Sequence, residues 1–150
     1  MREVPWFEAD HARLVLEYVL MGHAHPEFSL RWLDMRPVWE GELREKIPGF
    51  ETPPLQVRLR YPPGYPIRPV MVVPLAPELP PDRLGHAWHR FDGGNLCIGD
   101  PTRWEPTFTA VDVLAKVGDW YFNYLACDLG LIDAMPDVGR AVLRDSGAGD

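Results

Sequence analysis

Proline constrains this chain more than any other residue. Seventeen prolines occur in 150 residues, and they crowd between Pro48 and Pro106. Each fixes its own φ near −65°, removes a backbone donor and biases the residue before it away from the helical region. The middle of the chain is therefore predicted to consist of extended segments and rigid turns, with long helices only before and after it.

Both flanks carry helical patterns. Residues 8–22 place Ala12, Val15, Leu16, Val19 and Leu20 at helical spacing, with Glu8, Arg13 and Glu17 between them. His23-Ala24-His25-Pro26 ends that element. Residues 110–126 are predicted as a second helix with a broad apolar face of Val111, Leu114, Val117, Trp120, Tyr121, Tyr124 and Leu125. Thr109 suits its N-cap, and Asp112 suits its first turn. Gly130 closes the element that follows. A last short helix is expected over 137–144 and a frayed tail over 146–150.

Between the helices, residues 28–35 alternate loosely and 38–43 alternate well. Residues 55–61 are the clearest strand, apolar at odd positions and polar at even ones, as for a half-buried strand with one wet face. Residues 70–73 form a short apolar strand. Residues 74–95 show little regular structure. A long irregular stretch inside a compact domain is usually functional or disordered, and Cys97 follows it directly. This order predicts an α+β fold with an antiparallel meander of about four strands, rather than alternating βαβ units. It forms a single domain over 1–150 with its core in 8–126 and a short tail over 137–150.

Bulk properties exclude several function classes. Six Trp, five Tyr and six Phe suffice for a core. No apolar run is long enough to cross a bilayer, and the N-terminus lacks the layout of a signal peptide, so a soluble cytoplasmic protein is expected. A net charge of −7 argues against nucleic acid as the main partner. The two cysteines, Cys97 and Cys127, make no disulfide framework, and neither lies in a CxxC of the kind that holds structural zinc. His23 and His25 lack further ligands for a metal, and Gly93-Gly94 is too short to cradle a phosphate. No cofactor is expected.

Three motifs are more specific. Residues 59–69 read Leu-Arg-Tyr-Pro-Pro-Gly-Tyr-Pro-Ile-Arg-Pro, a strand running into a proline corner that holds Tyr65-Pro66-Ile67-Arg68-Pro69. Gly94-Asn95-Leu96-Cys97-Ile98 follows, and then Trp104-Glu105-Pro106-Thr107-Phe108-Thr109 leads into the second helix. In this order the motifs resemble those of the ubiquitin-conjugating enzymes over residues 8–126. The resemblance implies that fold, with shortened C-terminal helices, and it implies that Cys97 is the nucleophile. The family's usual Asn eight residues before the cysteine is absent, and His89 stands at that count. The interval from Tyr65 to Cys97 is also several residues longer than usual. Trimmed members with an altered histidine motif are similar to bacterial relatives found in ubiquitin-like modification and antiphage operons. The 13 Arg against 2 Lys suit a GC-rich bacterium.

The resemblance further implies two steps. Cys97 takes a ubiquitin-like protein from an activating enzyme as a thioester, and an acceptor amine on a protein substrate then attacks that thioester. His89 is a candidate for supporting the oxyanion or deprotonating the amine, and His86 competes for either role. Asp100 is a candidate for orienting the amine. Asn95 belongs to the catalytic segment. Two other classes remain open: a non-catalytic module that binds a ubiquitin-like protein, and a cysteine hydrolase pairing Cys97 with His86 or His89. The family's first helix meets the activating enzyme through a basic face. Here Glu8, Asp10 and Glu17 against Arg13 make that face weak, so the cognate partner is expected to differ from the eukaryotic one.

Overall fold

The computed structural model describes residues 3–143. The elements run α1 (Trp6–Ala9), α2 (His11–Ala24), β1 (Ser29–Leu33), β2 (Arg36–Leu43), β3 (Leu55–Arg60), β4 (Met71–Ala76) and α3 (Ala110–Asp128), with short 3-10 turns at His86–Trp88 and Pro101–Arg103. The four strands form one antiparallel sheet in the order β1-β2-β3-β4. No helix among the described residues is long and apolar enough to cross a membrane.

β3 follows the period expected of it. Leu55, Val57 and Leu59 are buried, while Gln56 and Arg60 face water. On the wet face Glu40 of β2 accepts from Arg58 Nε at 2.8 Å and from Arg31 Nη1 at 3.0 Å, and the paired arginines hold its carboxyl below the ordinary range. Phe28 packs against β2 at Gly41, where a Cβ would stand 2.6 Å from the ring, so only glycine fits. β4 is longer than the 70–73 segment and runs through Pro74. Its register with β3 shifts between Gln56 and Val57, as expected where a proline supplies no ladder donor on an edge strand.

The first helix differs from its predicted form in two ways. It is broken at Asp10, whose backbone leaves the helical region while its side chain accepts from Arg13 N and caps α2. Its faces are also reversed. Val15, Leu16, Tyr18 and Val19 are exposed, whereas Glu17 and Met21 are fully buried. Polar bonds decide the orientation. Glu17 accepts from Tyr61 Oη at 3.2 Å, from Tyr65 Oη and from the Ala110 amide at 3.0 Å, and Arg13 Nε stands 3.4 Å from the same carboxylate. Arg13 reaches on to the carbonyls of Pro106 and Phe108. Trp39 Nε1 donates to Tyr61 Oη at 2.8 Å, so one buried polar web joins α2, the sheet, the proline corner and the start of α3.

α3 is closer to expectation. Thr109 and Asp112 form a reciprocal capping box. Val113, Leu114, Val117, Trp120, Tyr121, Tyr124 and Leu125 are buried in the core shared with the sheet. The chain turns at Gly130, which has φ +75. No helix follows among the described residues. The stretch 137–143 is irregular, contrary to the expected last helix, and residue 144 and the tail 146–150 lie outside the described residues. The side chain of Asn123 supplies what a helix would have supplied: it donates to Gly139 O at 2.8 Å and accepts from Ala141 N at 2.8 Å. Arg140 adds a two-pronged bond to Glu45 at 2.7 and 2.8 Å and a third to Asp119 at 2.6 Å. The segment after α3 is therefore a strap tied across the helix.

Candidate active site

The loop after β4 is irregular but closely bonded. Arg90, a buried side chain, donates to the carbonyls of Arg83 at 2.9 Å and Gly94 at 3.3 Å, with Pro80 O at 3.5 Å. Gly94 has φ +95, a conformation suited to glycine. Leu96 N donates to Val72 O at 2.9 Å, and Leu96 also bridges Arg90, so the loop returns onto the free edge of β4. Cys97 is the next residue. Its amide donates to His89 O at 2.7 Å, which fixes the backbones of His89 and Cys97 side by side.

Two of the three sequence motifs bond directly to each other. The Trp104 indole donates to Pro66 O at 2.8 Å, joining the segment before α3 to the proline corner. Cys97 lies between these two motifs in sequence, one residue after the bridge from Leu96 to the edge of the sheet.

Of the two candidate histidines, His89 is the better placed. Its side chain is 16% exposed against 88% for His86, and its backbone is left-handed with φ 49. The rings stand edge to face with centroids 5.3 Å apart. Asp137, carried by the strap, places one carboxylate oxygen 3.6 Å from His89 Nε2 and 3.7 Å from His86 Nε2. These distances suit an ion pair or a bridging water rather than a direct hydrogen bond. Sequence reasoning missed Asp137. It lies 40 residues beyond Cys97, and no local pattern marks it.

The Cys97 thiol is half-buried and free, with Sγ 3.9 Å from Gly99 O. Burial pushes it above the ordinary thiol range, and the charge of Asp100 adds to that effect. Asp100 is exposed and its carboxylate is committed to Thr102, accepting from the amide at 2.9 Å and the hydroxyl at 2.7 Å. Those bonds hold its carboxyl below the usual range. The aspartate thus caps the turn at Pro101–Arg103 and stays anionic beside the thiol. Asn95 closes the turn before Cys97 through its backbone, its carbonyl accepting from Phe91 N at 2.9 Å.

A pH prediction follows. In a Cys127→Ser background, Asp100→Asn should move the midpoint of Cys97 alkylation to lower pH, because a nearby anion opposing the thiolate is removed while the burial that raises it most remains. A midpoint that stays put or rises would show that burial alone sets the thiol.

A separate cavity of about 290 Å³ lies between the N-terminal segment, the β1–β2 turn and the end of β3, lined among others by Trp6, Phe7, Met35 and Tyr61. None of Cys97, His86, His89, Asp100 or Asn95 lines it, and its walls carry no nucleophilic thiol. Among the described residues no group of three or more His, Cys, Asp or Glu is arranged to hold a metal ion. Comparison of the chain with protein families, curated proteins and solved structures finds no match.

Proposed function

We propose that this chain is a conjugating enzyme with a ubiquitin-conjugating-enzyme-like fold, carrying a ubiquitin-like protein as a thioester on Cys97 and passing it to an amine of a protein substrate. The observation that carries this reading is the placement of Cys97. It follows directly on a segment bonded to the edge of an antiparallel meander, after a proline corner that is itself bonded to the lead into α3.

The chemistry fits the residues. An acyl carrier exchanges its load with other thiols and then with an amine, so its sulfur must be a competent leaving group without being a permanent thiolate. A half-buried thiol raised by burial and by Asp100 meets the second need, since it is not a permanent thiolate. Amine attack builds an oxyanion and releases a proton. The His89 backbone is fixed beside Cys97 by its own carbonyl, and Asp137 stands 3.6 Å from Nε2 of its ring. It is the group for either task. The exposed face of α2 carries Val15, Tyr18 and Val19 and no lysine or arginine, which supports an activating enzyme unlike the eukaryotic one. A bacterial modification or antiphage pathway suits such a system.

The test is to incubate the protein with ATP and candidate bacterial activating enzyme and ubiquitin-like protein pairs. A reductant-sensitive adduct is expected, absent in Cys97→Ala and reductant-resistant in Cys97→Ser. A pair that loads a control thiol but never Cys97 sinks the proposal.

The ordering of Cys97, His89 and Asp137 also favours a second reading, a cysteine hydrolase. Release of a ubiquitin-like protein from a C-terminal amide without ATP would select it.

A further inference from the structure

The chain holds only two lysines among 150 residues, against 13 arginines. One of them, Lys116, stands at the candidate active site. It is an exposed residue on the second turn of α3, and its ammonium lies over the Phe108 ring at 5.6 Å. It also lies over Gly99. A Cβ built on Gly99 would stand 3.4 Å from Lys116 Nζ and 3.9 Å from its Cδ. Gly99 has φ +77, and its carbonyl is the group that Cys97 Sγ approaches at 3.9 Å. The glycine therefore leaves no side chain between the lysine stem and the cysteine turn. Lys46, the other lysine, lies in the connection between β2 and β3, beside the Glu45 that Arg140 engages.

We infer that Lys116 is an acceptor in cis, so that the acyl group carried on Cys97 is transferred to the enzyme's own α3 when no external amine intervenes. The inference rests on the thioester reading above. The neutral Lys116 amine attacks the thioester carbonyl carbon, a C–N bond forms, and the C–S bond breaks with its electron pair leaving on Cys97 sulfur. Counted from the ammonium, the reaction releases two protons, one of which neutralises the thiolate while the other passes to solvent. The product is an isopeptide on Lys116 and a free Cys97 thiol, and no oxidant or further co-reactant is needed. Attachment to the same fold gives the amine an effective concentration of at least millimolar order, which competes with dilute acceptors in solution. The modified lysine would hold its load next to Cys97 and hinder a second charging.

A chemically activated probe separates this inference from the reading beneath it. The full chain is mixed with a fluorescent peptide ending in Gly-Gly as a 2-mercaptoethanesulfonate thioester, which loads thiols without an activating enzyme. The expected sequence is a reductant-sensitive adduct on Cys97 that converts to a reductant-resistant adduct mapped to Lys116 by mass spectrometry. Its first-order rate should be unchanged on about tenfold dilution of the charged protein. Lys116→Arg should leave the thioester intact and remove the resistant product. Lys46→Arg should change neither, and Cys97→Ala should abolish both. A thioester that forms but never reaches Lys116, a transfer rate that falls with dilution, or a Lys116 adduct persisting in Cys97→Ala overturns the inference while leaving thioester carriage standing. Failure to load Cys97 at all, while Cys127 or a control thiol loads, counts against both.

Discussion

Replacing Glu17 with alanine is expected to cost the fold about 3–5 kcal/mol, the range for breaking a buried ionic network from one side. Total stability for a domain of this size is about 5–15 kcal/mol, so the variant would lose a large share of the fold's margin. The carboxylate is fully buried and is the common acceptor for the Tyr61 and Tyr65 hydroxyls and the Ala110 amide. Alanine leaves the Tyr61 hydroxyl and the Ala110 amide without an acceptor, leaves the Tyr65 hydroxyl only the Phe108 carbonyl at 3.5 Å, and removes the carboxylate that faces Arg13 Nε. Burial raises the Glu17 carboxyl above its ordinary range despite those donors, so Glu17→Gln, which keeps the shape and one acceptor, should cost less, about 1–2 kcal/mol. Denaturant titration of both variants decides the matter. A loss below about 1 kcal/mol for alanine would mean that α2 is held by something other than this web.

The second large effect concerns His89. If its ring supports the reacting centre, His89→Ala should slow discharge of the Cys97 thioester to free lysine by about two to three orders of magnitude, while loading changes far less. Alanine also sits poorly at φ 49. Asparagine is the informative replacement because it tolerates the left-handed backbone and keeps an N–H donor. Activity retained in His89→Asn would mark an oxyanion donor; activity lost there but present in wild type would mark a base. Asp137→Asn should act through the position of the ring, slowing discharge with little change in loading. Discharge unaffected by any of the three would leave His89 as no more than the carbonyl that accepts from the Cys97 amide.

How far the sequence disclosed this arrangement depended on what each residue answered to. β3 was legible because one face of the strand is wet and the other dry, so its alternation states its orientation. The α3 cap was legible because Thr109 and Asp112 act within four residues of each other. α2 was misread because hydropathy assigns Val15, Leu16 and Val19 to the interior and Glu17 to solvent. Glu17 is buried by hydrogen bonds to partners 44, 48 and 93 residues away, which no local window contains. The candidate site divides the same way. Cys97 and His89 lie eight residues apart and announced themselves together, whereas Asp137 joins them only through the path of the strap.

That strap gives the molecule a direction in time. Synthesis proceeds from the N-terminus, and folding of emerged segments follows it. The thiol and both histidines precede Asp137 by some forty or more residues, and the anchors on Arg140 and Ala141 come later still. A nascent chain that already displays its sheet and most of α3 has a cysteine but not yet the carboxylate beside its histidines. The order of translation therefore delays assembly of the full constellation until the bulk of the domain has been made.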